Sequence, residues 1–209
     1  MGADAVALAG DLSDVDVPPR LVDEAVEFCG GLDALVSNAA LRHQAPLLEL
    51  KVAGWDKVFD VNTKATWLLA RAAHAALKES GGAIVAVSSI AGIFPHPNYG
   101  PYAASKAALV TLCQQMALEW ARDGIRVNCV APGIVRTENA ANVYADPDLA
   151  ARRAEAVPLG RVADPSELAA AIALLLSPEA SYITGQNLCV DGGFTSTLMT
   201  TIPGRPTRR

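Results

Sequence analysis

The chain has little charge of either sign, and this scarcity limits what it can bind. Charged residues make up only 19% of its 209 residues, and the formal net charge is −5. A negative chain without a Lys/Arg cluster does not attract phosphate backbones or anionic lipid, so no nucleic-acid partner is expected. The hydrophobic content of 51% excludes a disordered chain and favours a large core. So little exposed charge also predicts a homo-oligomer, either a dimer or a tetramer.

Cysteine and histidine are scarce and do not form metal-binding patterns. The four cysteines contain no CxxC pair and lie on apolar segments, at Cys29, Cys113, Cys129 and Cys189. This distribution predicts buried, reduced thiols rather than disulfides or zinc ligands. The three histidines share no ligand spacing, and HExxH is absent. We therefore predict no metal site.

Long uncharged apolar runs are also missing. No stretch approaches the ~20 residues that a membrane-spanning helix needs. Residues Met1 to Gly10 lack the basic region that opens a secretory signal. The sequence therefore predicts a cytoplasmic protein without a membrane partner.

Short apolar runs alternate with longer segments of helical spacing. The predicted strands are Ala5–Ala9, Leu32–Ser37, Ala83–Ser88, Ile125–Val130 and Asn187–Val190. The predicted helices are Pro18–Cys29, Trp55–Leu77 with a break near Asn62, Pro101–Arg122 and Pro165–Leu176. This order predicts an α/β fold with a doubly wound parallel sheet, whose ligands lie at the carboxyl ends of the strands. We expect one domain over residues 1–194 and a polar, frayed tail over residues 195–209.

Tyr102 and Lys106 are four residues apart on a predicted helix, so their side chains share one face. A free tyrosine, with a pKa near ~10, is a poor acid or base at neutral pH, and an adjacent cation favours its phenolate. Taken alone, the same spacing also fits two residues on an ordinary solvated helix face.

Two further polar residues precede this pair. Ser89 directly follows the predicted strand Ala83–Ser88 and could donate a hydrogen bond to a substrate carbonyl, although capping a helix or a turn is the alternative. Asn62 interrupts a helical segment and could order a proton path. Its alternative is a polar residue that merely kinks the helix.

Together Asn62, Ser89, Tyr102 and Lys106 have the order and spacing of the tetrad in the short-chain dehydrogenase/reductase family, which this sequence resembles. The resemblance implies a Rossmann-type fold and interconversion of a secondary alcohol and a ketone, with NAD or NADP as cofactor. It implies that Tyr102 is the general acid or base and that Lys106 lowers its pKa and binds cofactor ribose. Ser89 would polarise the substrate carbonyl, and Asn62 would hold a water that joins Lys106 to solvent.

Other stretches resemble the cofactor-binding segments of the same family. Ser37-Asn38-Ala39-Ala40 is similar to the segment beside the cofactor, although the family usually has glycine where Ala40 stands. Ala131-Pro132-Gly133-Ile134-Val135-Arg136-Thr137 is similar to the segment beneath the nicotinamide, and Gly10-Asp11-Leu12-Ser13 to the loop beside the adenine. The implied cofactor-binding residues are Asp11, Leu12, Asn38, Ala39, Ala40, Tyr102, Lys106, Pro132, Gly133, Val135 and Thr137.

The sequence departs from the family at the pyrophosphate site. A Rossmann domain needs a Gly-rich turn after its first strand, and none is present here. Gly30-Gly31 precedes the wrong strand, and the chain begins at what resembles the family's third strand. The fold expected is therefore an N-terminally truncated one that lacks the first βαβ unit. Our preferred explanation is that the true start of the protein lies upstream of Met1. The alternatives are that the chain is a natural remnant of the family, or that rearrangement or another subunit fills the missing edge of the sheet. A remnant would be a non-catalytic interaction or scaffold protein.

Overall fold

The computed structural model describes residues 4–138 and 141–201. Its α-helices are α1 (Val17–Cys29), α2 (Val52–Phe59), α3 (Ala65–Ser80), α4 (Tyr102–Trp120), α5 (Ala141–Tyr144), α6 (Pro147–Glu155) and α7 (Pro165–Leu176). Its strands are β1 (Ala34–Ser37), β2 (Ala83–Val87), β3 (Arg126–Pro132) and β4 (Asn187–Val190). Short 3-10 turns cover Ile90–Gly92, Ala121–Asp123, Pro178–Ala180 and Phe194–Thr201.

The four strands form one parallel sheet in the order β1-β2-β3-β4. Val36 of β1 is paired with Val85 of β2, and Pro132 of β3 with Val190 of β4. Because all strands run the same way, their carboxyl ends meet at one edge of the sheet. The predicted α/β parallel sheet is confirmed.

Two apolar clusters lie on opposite faces of this sheet. On one face, α1, α3 and α4 pack on Ile84, Ala86, Val127 and Cys129. On the other face, Leu168 and Leu175 of α7 pack on Val85 and Val130. The apolar stripe of α4 supplies the first cluster with Leu109, Cys113 and Met116, as its helical spacing predicts. Helices on both faces make the sheet doubly wound.

The prediction of a strand at Ala5–Ala9 is wrong. The segment has no regular structure and its side chains are largely exposed, with Val6 at 47%. A strand needs a neighbour for its backbone hydrogen bonds, and in the described sheet β1 is the edge strand and pairs only with β2. Instead, Arg20 reaches back and donates to the Ala9 carbonyl at 2.8 Å.

The helix break expected near Asn62 is present as one turn of π-helix over Asp60–Lys64. In this turn the Ala65 amide bonds to the Asp60 carbonyl, five residues back. An inserted π turn interrupts the regular bonding of the helix and turns its side chains relative to the helix that follows. Asn62 is thereby buried, with 1% of its surface exposed.

The cysteine prediction is partly wrong. All four thiols are unpaired by disulfides, and Cys113 and Cys129 are buried as expected. Cys29, however, is exposed, because α1 buries only Pro18 and Val22 and ends at this residue. Among the described residues, no group of three or more His, Cys, Asp or Glu side chains could hold a metal ion.

The segment after β3, residues 134–159, contains the short helices α5 and α6, and residues 139–140 lie outside the described part. The expected tail begins within the 3-10 turns of Phe194–Thr201, so its first residues have regular structure, and residues 202–209 lie outside the described part. None of the helices in the described ranges is both long and apolar enough to span a bilayer.

Candidate active site

The end of β2 and the first turns of α4 are held together by a buried lysine. Lys106 Nζ donates to the Val87 carbonyl at 2.7 Å, and only 2% of the residue is exposed. The turn after β2 also contacts α4 directly, because a Cβ at Gly92 would lie 3.0 Å from the Ala107 nitrogen. This close approach places Ser89, at the start of that turn, next to the helix that carries Tyr102.

Burial has a large effect on the charge of Lys106. The pKa of the ammonium is lowered from its usual 10.5 to about 8, mainly by loss of hydration and in smaller part by the nearby Arg42 charge. The thiols of Cys129 and Cys113 act in the opposite direction but less strongly than burial. The amine is therefore protonated at neutral pH but close to losing its proton.

Tyr102 is the first residue of α4 and is 6% exposed. Lys106 Nζ lies 5.9 Å from the centre of its ring. The Arg42 guanidinium lies over the same ring at 5.3 Å. The structure therefore places the Lys106 amine near the Tyr102 ring and adds a second cation, Arg42, that the sequence analysis did not identify.

The Asn62 side chain forms hydrogen bonds both to the segment after β1 and to the first turn of α4. Its Oδ1 accepts from the Leu41 amide at 2.7 Å, and its Nδ2 donates to the Leu41 carbonyl at 3.0 Å. Nδ2 also donates to Ser105 Oγ at 2.9 Å, and that hydroxyl donates to the Tyr102 carbonyl at 2.7 Å. Both N–H donors of the side chain are used, so Asn62 can offer a water molecule only a carbonyl oxygen.

Replacing Asn62 by alanine should lower the free energy of unfolding by about 3 kcal/mol, since it removes buried hydrogen bonds to Leu41 and Ser105 and leaves their partners unsatisfied. Urea denaturation measures this loss. Thr63→Val is the matched control, because Thr63 makes a single such bond, to the Ser105 carbonyl at 3.0 Å, and should cost about 1 kcal/mol. Equal losses of unfolding free energy in the two variants would contradict the conclusion that the Asn62 hydrogen bonds hold these segments together.

Ser89 caps the turn that follows β2. Its Oγ accepts from the Ala91 amide at 3.1 Å, and its backbone is extended, with φ −167°. The capping role that the sequence left open as an alternative is therefore present. The bond uses an acceptor site on the hydroxyl, so its hydrogen remains able to donate to a substrate oxygen.

The predicted cofactor-binding residues of the N-terminal third lie on the surface. Asn38, Ala39 and Ala40 follow β1 and are exposed, and Asp11 is also exposed, with Leu12 half-buried. Asp11 Oδ1 accepts from the amide and the hydroxyl of Ser13, at 2.9 and 2.7 Å. These bonds lower the pKa of the Asp11 carboxyl. The structure therefore places Asn38–Ala40 at the carboxyl edge of the sheet and Asp11 in the turn before α1.

The second predicted cofactor segment follows β3. Pro132 and Gly133 are half-buried, and the Gly133 amide donates to the Val190 carbonyl at 3.0 Å. Val135 forms a parallel bridge with Ala163, and Thr137 is exposed. The segment thus leaves the sheet at the same edge as Ser89.

Gly133 is required by its contact with the end of β4. A Cβ at this position would lie 2.6 Å from Asp191 Cβ and 2.7 Å from its Cα, so the backbone would have to shift. We expect Gly133→Ala to destabilise the protein by about 1–3 kcal/mol, measured by thermal and urea denaturation. Gly31→Ala is the control, because nothing lies within 4 Å of its added Cβ. If Gly133→Ala is as well tolerated as Gly31→Ala, the close contact is not a constraint.

Sequence reasoning missed two residues of this cluster. Ser105, fully buried, links Asn62 to Tyr102. The sequence does indicate this residue, because Ser105 lies about one helical turn after Tyr102 on the same helix face. Arg42 lies in a loop, and no periodicity there indicates where its side chain goes.

Comparison with known proteins gives a family. The family model described as "Enoyl-(Acyl carrier protein) reductase" matches residues 1–195. "Dehydrogenase/reductase SDR family member 4" of Bos taurus is 43% identical over 181 residues, which are 86% of this chain and 65% of the relative. The chain therefore spans just under two thirds of that protein's length.

This chain covers a larger share of two other similar proteins. "3beta-hydroxysteroid dehydrogenase 1" of Eggerthella lenta is 39% identical over 93% of this chain and 75% of the relative. The solved structure of a gluconate 5-dehydrogenase from Burkholderia cenocepacia, in complex with NADP and tartrate, is 31% identical, with a TM-score of 0.82 over 90% of this chain and 74% of that one. This chain belongs to the short-chain dehydrogenase/reductase family.

Proposed function

We propose that the protein is an NAD(P)-dependent oxidoreductase that interconverts a secondary alcohol and a ketone. The observation that carries the proposal is the position of the Lys106 amine between the end of β2 and Tyr102. Its Nζ lies 2.7 Å from the Val87 carbonyl oxygen and 5.9 Å from the centre of the Tyr102 ring. The names of the relatives, which are dehydrogenases and reductases, support the same class of reaction. When bound, a nicotinamide cofactor supplies or accepts the hydride.

In this proposal the residues of the chain handle the proton. Tyr102 donates its phenolic proton to the ketone oxygen, or accepts a proton from the alcohol. The Lys106 cation stabilises the negative charge that develops on the phenol and binds ribose hydroxyls of the cofactor. Ser89, whose hydroxyl hydrogen is available, polarises the substrate carbonyl. One of the carbonyl oxygens of Asn62 orders a water that joins Lys106 to solvent, so that the proton released in oxidation reaches solvent and the proton used in reduction is replaced from it.

The described residues fit the nicotinamide end of such a cofactor. Gly133 lets the segment after β3 pass close to Asp191, and Lys106 offers a cation at the same edge of the sheet. They fit the pyrophosphate poorly. The first helix of the described part, α1, has Pro18 and Pro19 in its first turn and Asp16 before it, so it offers few free amides and adds negative charge.

A titration and an activity assay test the proposal with the full 209-residue chain. NADH or NADPH binding is measured by fluorescence. Turnover is measured from the absorbance of reduced cofactor with a panel of ketones that includes cyclic, steroidal and acidic members. Reduction of any member, abolished in Tyr102→Phe, supports the proposal, and full activity of that variant would refute it.

A second candidate is a non-catalytic interaction protein. The edge strand β1, where Val36 is 42% exposed, favours this candidate. Absence of cofactor binding in the titration supports this candidate. The proposed dimer or tetramer is compatible with both functions, and exposed apolar residues such as Leu118, 82% exposed, support it.

A further inference from the structure

Arg42 lies in a segment whose backbone is held on both sides. The Asn62 side chain binds the amide and the carbonyl of Leu41, at 2.7 and 3.0 Å. On the other side, Gly100 lies directly against the His43 carbonyl, and its φ of +53° together with this contact leaves no room for a Cβ. The loop before α4 and the π turn therefore fix the position from which the Arg42 side chain extends.

The Arg42 side chain extends over Tyr102 and has no carboxylate partner among residues 4–138 and 141–201. Its guanidinium carbon lies 5.3 Å from the ring centre, and Arg42 is exposed to solvent. The ion pairs found in those ranges involve other cations. A cation that contacts only a phenol ring keeps its N–H donors available for a ligand.

Two cations therefore face the same ring. Arg42 and Lys106 lie 5.3 and 5.9 Å from the centre of Tyr102, and the Arg42 charge disfavours protonation of Lys106. An anion bound at Arg42 would relieve this repulsion. Arginine presents a planar fork of donors that matches a carboxylate in two parallel hydrogen bonds.

We propose that Arg42 binds a carboxylate of the substrate, so that the enzyme acts on hydroxy acids and the corresponding keto acids. The proposal rests on the function proposed above, because it assigns the alcohol to Tyr102 and the acid to Arg42. It places the carboxylate and the reacting carbon on the same small molecule. Neutral alcohols and ketones of the same size would then be poorer substrates.

Binding by the full chain, with and without NADP, tests this assignment by ligand-observed NMR. The probes are 3-hydroxybutanoate and 4-oxocyclohexanecarboxylate, each compared with its carboxamide. Wild-type protein should bind at least one acid about 10- to 100-fold more tightly than its amide, as expected for hydrogen bonds between charged groups. Arg42→Gln should remove this preference.

Arg71→Gln is the matched control, because Arg71 also lies over an aromatic ring, that of Trp67 at 4.8 Å, on the surface of α3. It should keep the preference. Tyr102→Phe should keep the preference for acids and lose turnover, which separates a failure of this assignment from a failure of the proposed reaction. Equal binding of both acids and their amides by wild-type protein overturns the assignment. So does an Arg42→Gln variant that behaves like Arg71→Gln, or one that weakens only NADP binding.

Discussion

Tyr102→Phe should lower kcat by about 10²- to 10⁴-fold, the contribution expected of a positioned general acid or base. The ring and its contacts with Lys106 and Arg42 remain in this variant, and only the hydroxyl is lost. The KM for cofactor and the stability should therefore change little. Steady-state kinetics on a substrate from the ketone panel, together with urea denaturation, measure both effects.

A matched change at a neighbouring phenol controls for general disturbance of the site. Tyr99 lies 6.2 Å from Tyr102, ring centre to ring centre, and also contacts His96. Tyr99→Phe should keep kcat within a few-fold of wild type, because this phenol has no assigned proton transfer. Similar kcat losses in the two variants would mean that the hydroxyl of Tyr102 has no special role.

Lys106→Met should abolish turnover and remove a pH-dependent cost from folding. In the folded protein the pKa of Lys106 is about 8, against 10.5 for an ordinary lysine. Between these pH values the unfolded chain binds more protons, so wild-type stability rises with pH across this window. Below about pH 8 both states are protonated, and the folded state bears the full cost of the buried charge, on the order of 3 kcal/mol at ~1.36 kcal/mol per pKa unit.

The measurement is the free energy of unfolding of wild type and Lys106→Met between about pH 7 and pH 10.5. The variant should gain relative to wild type at the lower pH, although loss of the bond to Val87 offsets part of the gain. The difference between the two proteins should fall by about 3 kcal/mol as the pH rises. Lys57→Met, at an exposed lysine, should show no such trend. A difference that stays constant with pH would contradict the burial of a charged amine at this position.

Much of the fold could be read from local pattern. The stripe of α4 and the apolar runs of β2 and β3 were predicted because an element buried on one or both faces must carry that periodicity in its own residues. The break at Asn62 was also predicted, since a polar residue in an apolar helix has to find a partner. Ala5–Ala9 was mispredicted for the opposite reason: its apolar residues suit a strand, but a strand also depends on a neighbour.

The sequence by itself determined the alternation of strands and helices, the family, and the spacing of Tyr102 and Lys106 on one helix face, because each depends on residues close together in the chain. Only the tertiary structure decided that Asn62 fastens Leu41, that Ser105 links it to Tyr102, and that Arg42 lies over the phenol. The bonds from Asn62 to Leu41 and Ser105, and the contact between Arg42 and Tyr102, join residues 21 to 60 positions apart, and the fold alone sets such distances. The lowered pKa of Lys106 also depends on the tertiary structure, because it results from burial of the amine at the carboxyl edge of the sheet.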